Sequence, residues 1–101
     1  MPERLITINE AKEFLRLDND YSDDIILPLI NSLPSYLLTS TGLTFEEQLE
    51  EPLCKTVGTF LIKLWYNAEG TDSYRLQRVI DSLLGTLKFK KLELDSNKNG
   101  S

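Results

Sequence analysis

Histidine is absent from the 101-residue chain, and cysteine occurs once, at Cys54. Histidine is the commonest general base and the commonest metal ligand, so both chemistries lack their usual residue. One cysteine can form neither an internal disulfide nor a cysteine-cluster zinc site. No apolar run is long enough to cross a bilayer, and no apolar leader follows the start of the chain. We therefore expect one small domain in a reducing cytoplasm, with no membrane partner.

The charges are unevenly distributed along the chain, whose net charge is −5. Residues 1–51 carry a net charge of −8, and residues 52–101 carry +3. Two interpretations stay open. The charges are either solvated helix faces, or they give the subunit one acidic and one basic side, which would suit head-to-tail contacts in a ring.

Apolar spacing and capping patterns predict an all-α fold, a small bundle of four helices. The first helix begins at the capping box Thr7-Ile8-Asn9-Glu10 and ends near Leu17. The second begins after a cap at Asp20 or Ser22 and ends at Thr41-Gly42, with Gly42 as a left-handed cap. Two prolines complicate this helix: Pro28 suits a late first turn, and Pro34 predicts a kink.

The third helix is predicted to be the centre of the bundle. It follows an acidic connector, residues 43–51, and runs from Pro52 to about Glu69. Apolar residues cover most of its circumference, which is typical of a helix enclosed by others or by a neighbouring subunit. The fourth helix follows Ser73 and runs to about Leu87.

The C-terminal residues are predicted to lie outside the bundle. Residues 88–94 alternate imperfectly between polar and apolar side chains, as in a short strand or a docking tail. Residues 95–101 are almost wholly polar and are expected to be a flexible, disordered tail. The predicted organisation is therefore a helical domain over residues 1–94 and a tail over residues 95–101.

The residues that suggest chemistry each have a simpler structural explanation. Asp18, Asp20 and Ser22 alternate as in an EF-hand, but Asp23 stands where that loop needs glycine and Leu29 where it needs glutamate. The paired glutamates of the connector look solvated rather than catalytic. Cys54 has no histidine to activate it, so it is predicted to be a small buried residue. We expect no enzymatic activity, no cofactor and no metal.

Two sets of residues are candidates for binding a partner. The basic set is a candidate for facing DNA or an acidic protein surface: Arg75, Arg78, Lys88, Lys90 and Lys91. The apolar and aromatic set lies late in the third helix and is a candidate subunit interface: Ile62, Trp65 and Tyr66.

The order of these segments resembles the head–tail connector, or adaptor, family of long-tailed phages. Ile6 to Asp18 reads Ile-Thr-Ile-Asn-Glu-Ala-Lys-Glu-Phe-Leu-Arg-Leu-Asp, which is similar to the opening of that family. The acidic loop before Ile25, the Tyr36 to Gly42 helix ending and the Leu64-Trp65-Tyr66-Asn67 ending of the third helix continue the match. The leucine-rich fourth helix completes a resemblance that covers about residues 5–87.

The resemblance implies a structural protein of the virion. Such proteins form a homo-oligomeric ring, commonly twelvefold, beneath the portal protein at the head–tail junction after assembly in the host cytoplasm. The ring extends the DNA channel and offers a platform to a neck or tail-completion protein, and non-specific contact with packaged DNA is an open possibility. The alternative function is a small helical regulator that binds nucleic acid or a host protein.

Overall fold

The computed structural model describes residues 4–17, 23–66 and 73–100, with side chains up to residue 97. Over these ranges the chain is a compact all-α globule of five helices. The helices are α1 (Ile8–Leu15), α2 (Asp23–Thr41), α3 (Phe45–Glu50), α4 (Pro52–Tyr66) and α5 (Ser73–Gly100). The all-α prediction is confirmed, and the four longer helices correspond to the four that the sequence predicts.

The predicted caps of the first two helices are present. The Thr7 hydroxyl accepts from the Glu10 N–H at 3.1 Å, and the Glu10 carboxylate accepts from the Thr7 N–H at 2.9 Å. Arg16 adopts a left-handed conformation (φ 61°) and ends α1. Gly42 does the same after α2 (φ 86°), its N–H donating to the Leu38 carbonyl. The predicted caps at residues 20 and 22 lie outside the described residues.

Helix α2 continues through both of its prolines. It begins at Asp23, so the late start suggested for Pro28 is wrong. The Ser32 hydroxyl donates to the Pro28 carbonyl at 2.8 Å. The buried Gln48 side chain donates to the Pro34 carbonyl at 3.0 Å.

Helix α4 lies at the centre and packs against each of the other four helices. It begins at Pro52, as predicted, and its predicted last turn, 67–69, lies outside the described residues. The core consists of apolar side chains from every longer helix and from the segments beside α1 and α2. Its largest fully buried members are Ile6, Ile26, Leu33, Leu37, Leu43, Leu61, Ile62, Ile80 and Leu87.

Two predictions about the connector and the C-terminus are wrong. The acidic connector contains helix α3, which starts at a second capping box formed by Thr44 and Glu47. Residues 88–94 form neither a strand nor a separate tail, and residues 95–100 are not a flexible tail. All of them continue α5, which runs unbroken from Ser73 to Gly100.

Candidate interaction surfaces

The five predicted basic residues form two groups with different surroundings. Arg75, Arg78 and Lys88 are exposed on α5, with no ion pair among the described residues. Lys90 and Lys91 are partly buried and pair with acids. The structure therefore does not bring the five residues together, and only the first three are available to a partner.

Lys90 and Lys91 join α5 to α3. The Lys91 Nζ atom lies 2.9 and 3.1 Å from the two carboxylate oxygens of Glu47 and 3.2 Å from the nearer carboxylate oxygen of Asp95. The hydrogen bond to Glu47, followed by the interactions with Asp95, raises the pKa of Lys91. The Lys90 Nζ atom lies 3.3 Å from Glu51. These contacts hold the C-terminal turns of α5 against the end of α3.

Acidic residues of the N-terminal half pair with bases on other helices. Lys55 of α4 bonds to Glu10 of α1, and this bond, with that from the Thr7 N–H, lowers the pKa of Glu10. Lys12 of α1 lies 3.0 Å from Asp23 of α2. Together with the contacts between α3 and α5, these pairs bring together residues of opposite charge. These particular residues therefore contribute to no separate acidic or basic side, and the two interpretations stay predictions for the rest of the chain.

The predicted interface residues of α4 lie mainly within the protein. Ile62 is completely buried in the single chain, so its side chain offers no exposed surface to a second subunit. Trp65 and Tyr66 are half-buried and pack against the core. The Trp65 ring meets Tyr36 of α2 edge to face, with centroids 5.4 Å apart. Only the outer parts of Trp65 and Tyr66 are open to a partner.

The Cys54 side chain is buried in the first turn of α4. Burial, helped by the negative charge of Glu51, raises the pKa of the thiol from 9.0 to about 11. A thiol with a raised pKa is mostly protonated near neutral pH and is therefore a poor nucleophile. Among the described residues, no group of histidine, cysteine or acidic side chains could hold a metal ion.

Large apolar side chains are exposed on the outward face of α5. Phe89 is 61% exposed and Leu92 is 67% exposed, although they lie on the same helical turns as the inward-facing Lys90 and Lys91. In this part of α5, two large apolar side chains thus face outward, whereas two lysines face inward and pair with acids. Such an apolar surface typically binds another molecule.

The outward face of α2 carries no charge. Ile25 is 59% exposed and Leu38 is also exposed. No charged residue occurs in residues 25–45, although 27% of the chain is charged. In the described ranges, no helix has the length and apolar character needed to cross a membrane. This face is a second candidate for contact with a protein.

Neither of these two faces was predicted from the sequence as a binding surface. The α5 face was missed because residues 88–94 looked like a strand, and their three- and four-residue spacing is recognisable only if α5 continues. The α2 face could have been found from its lack of charged residues. Comparisons with known protein families, curated proteins and solved structures find no match to the chain.

Proposed function

We propose that the protein is a structural adaptor at the head–tail junction of a long-tailed phage. Its subunits form a ring beneath the portal, extend the DNA channel and join the capsid to a neck or tail protein. The observation that carries the proposal is the order and spacing of segments over residues 5–87, which resembles the connector family. The capped α1 and the glycine-terminated α2 are consistent with that pattern.

The exposed apolar side chains support an assembly role. Each subunit of a head-to-tail ring needs two different surfaces, one for each neighbour. The chain has uncharged or apolar outward faces on two helices, around Ile25 and Leu38 of α2 and around Phe89 and Leu92 of α5. The half-buried Trp65 and Tyr66 lie on another helix, α4.

The exposed basic residues support contact with DNA or with an acidic surface of the portal. Arg75, Arg78 and Lys88 are the candidates, because Lys90 and Lys91 already pair with Glu51 and Glu47. The Arg78 guanidinium also lies 5.9 Å from the centroid of the exposed Tyr74 ring. Their acidic neighbours Asp81 and Glu93 favour weak, non-specific contact over sequence recognition.

Assembly with the portal tests the proposed function. The purified chain, alone and mixed with the purified portal ring of the same virus, should be measured by native mass spectrometry and imaged by negative-stain electron microscopy. We expect a ring of many subunits, stacked on the portal on its axis. A chain that never exceeds a dimer and does not bind the portal at high concentration would refute the proposal.

The charge variants separate the adaptor from the alternative regulator. Reversing Arg75, Arg78 and Lys88 to glutamate should weaken portal docking or genome retention while the ring still forms. Strong, salt-dependent binding of the free chain to duplex DNA, lost in this variant and without any ring, would favour the nucleic-acid regulator instead.

A further inference from the structure

A continuous stripe of exposed residues runs along the outward face of α5, and we call it the α5 seam. Its members alternate four and three residues apart, which is the spacing of residues along one side of a helix that faces another helix. All six are exposed in the single chain. They are Arg78, Ser82, Gly85, Phe89, Leu92 and Ser96.

Gly85 lies beside open space on the outer face of α5. A Cβ atom added at this position would meet no atom within 4 Å. Glycine inside a helix costs about 1 kcal/mol relative to alanine, so a glycine in open space weakens α5 without a packing gain. One turn further along the same stripe stands Phe89, a large exposed ring. A hollow beside a projecting ring is the shape that two helices need in order to approach closely.

We propose that the α5 seam binds the α5 seam of a second copy of the chain, with the two helices antiparallel. In this register Gly85 faces Gly85 of the partner subunit at the two-fold axis, and Phe89 lies over the partner's Ser82. Leu92 then meets the partner's Arg78, whose methylene groups offer it an apolar surface. The contact is self-complementary because each Phe89 ring faces a small residue and the two glycines let the helices approach closely.

The charges that flank the α5 seam fit the antiparallel register. Arg75 and Glu93 lie on one flank, and Asp81 and Lys88 lie on the other. All four are exposed, and none has an ion pair among the described residues. Antiparallel pairing brings Arg75 towards Glu93 of the partner subunit and Asp81 towards the partner's Lys88. A two-fold axis repeats both pairs, so the interface gains four attractions between opposite charges.

The paired seam stands independently of the proposed ring, because it closes after two copies whereas a ring needs head-to-tail contacts.

Sedimentation velocity of the free chain over a range of concentrations tests the pairing. We expect a monomer–dimer equilibrium in which Phe89→Ser raises the dissociation constant by roughly tenfold or more. Leu49→Ser is the control, because it removes an exposed apolar side chain from α3, outside both apolar faces, and should leave the dimer intact. A chain that stays monomeric at millimolar concentration, a ring without a dimer step, or a dimer unaffected by Phe89→Ser would overturn the proposal.

Charge reversal tests the antiparallel register itself. Arg75→Glu alone and Glu93→Arg alone should each weaken the dimer, and the double variant should restore it. The two positions lie about 27 Å apart on one straight helix, so they cannot compensate each other within a chain. Circular dichroism should show unchanged helix content in all three variants. A double variant as weak as the worse single variant would overturn the antiparallel arrangement, whether or not the chain forms rings on a portal.

Discussion

The Lys91 ammonium group bonds both carboxylate oxygens of Glu47, at 2.9 and 3.1 Å, and so joins the end of α5 to α3. Glu47 also accepts the Thr44 N–H at 2.9 Å and thereby caps α3. One carboxylate therefore serves a helix start and a contact between helices. Because no side chain after Leu87 is buried among those described, this contact is a principal restraint on the C-terminal turns of α5.

Removing the Lys91 charge should loosen the C-terminal turns of α5. We expect Lys91→Met to increase amide hydrogen exchange in residues 88–97 and to leave exchange in the first half of α5 unchanged. Lys88→Met is the matched control, because Lys88 is exposed and has no ion pair among the described residues. Glu47→Gln should have a similar but weaker effect, since its amide oxygen can still cap α3. Equal exchange in both lysine variants would contradict this account.

The free energy of unfolding should fall as the pH rises from about 9 to 11. The Cys54 thiol ionises near 9.0 when unfolded and near 11 when folded, so alkali favours the unfolded chain by up to about 1 kcal/mol per pH unit. The raised pKa of Lys91 acts in the same direction above its ordinary value of 10.5, because the unfolded chain then releases the proton that the folded ion pair retains. Urea denaturation between pH 8.5 and 10 should show a smaller pH dependence for Cys54→Ala. An unchanged slope would show that Cys54 does not cause it.

Capping patterns and apolar spacing together predict the longer helices, but apolar spacing does not reveal the shortest one. Thr44-Phe45-Glu46-Glu47 has the same capping-box pattern as the segment at Thr7, and both boxes form. The second was missed because six residues are too few to show an apolar period, so the segment resembled a polar connector. Contact with α4 and α5, which no local pattern reveals, then stabilises α3.

The end of α5 shows why composition alone overestimates disorder. Residues 95–100 cannot bury apolar surface, which is why a tail was predicted. They continue a helix whose preceding turns are held by Lys90 and Lys91, and Asp95 itself pairs with Lys91 at 3.2 Å. The two bonds from α5 to residues outside it join distant parts of the chain. Lys90 pairs with Glu51, 39 positions earlier, and Lys91 pairs with Glu47, 44 positions earlier. Sequence spacing on one helix cannot predict such distant partners.

Gln48 should contribute measurably to stability although it belongs to a six-residue helix. It is completely buried, and its amide nitrogen donates to the Pro34 carbonyl at 3.0 Å and to the Leu43 carbonyl at 2.9 Å. Gln48→Ala removes both bonds and leaves a cavity, while it also removes an amide oxygen that has no partner among the described residues. We expect a net loss of about 1–3 kcal/mol in urea denaturation. Gln77→Ala, on the exposed face of α5, should change stability by less than about 0.5 kcal/mol.

The same substitution at two helical glycines should change stability in opposite directions. A Cβ at Gly58 would lie 3.0 Å from the Ile6 Cδ1 atom and 3.2 Å from the Leu33 Cδ1 atom. Ile6 and Leu33 are themselves completely buried and have little room to move, so Gly58→Ala should lower the free energy of unfolding by about 1–2 kcal/mol. A Cβ at Gly85 meets nothing within 4 Å, so Gly85→Ala should stabilise the monomer by up to about 1 kcal/mol.

Gly85→Ala should also weaken self-association, because the methyl groups added to the two subunits would meet at the two-fold axis, where Gly85 faces Gly85 of the partner subunit. Denaturation at low concentration measures the gain in monomer stability, and sedimentation velocity measures the loss of dimer. If Gly85 has no part in an interface, Gly85→Ala will stabilise the monomer without weakening the dimer. A variant that is more stable as a monomer but weaker as a dimer would show that close approach of a second α5 accounts for the glycine.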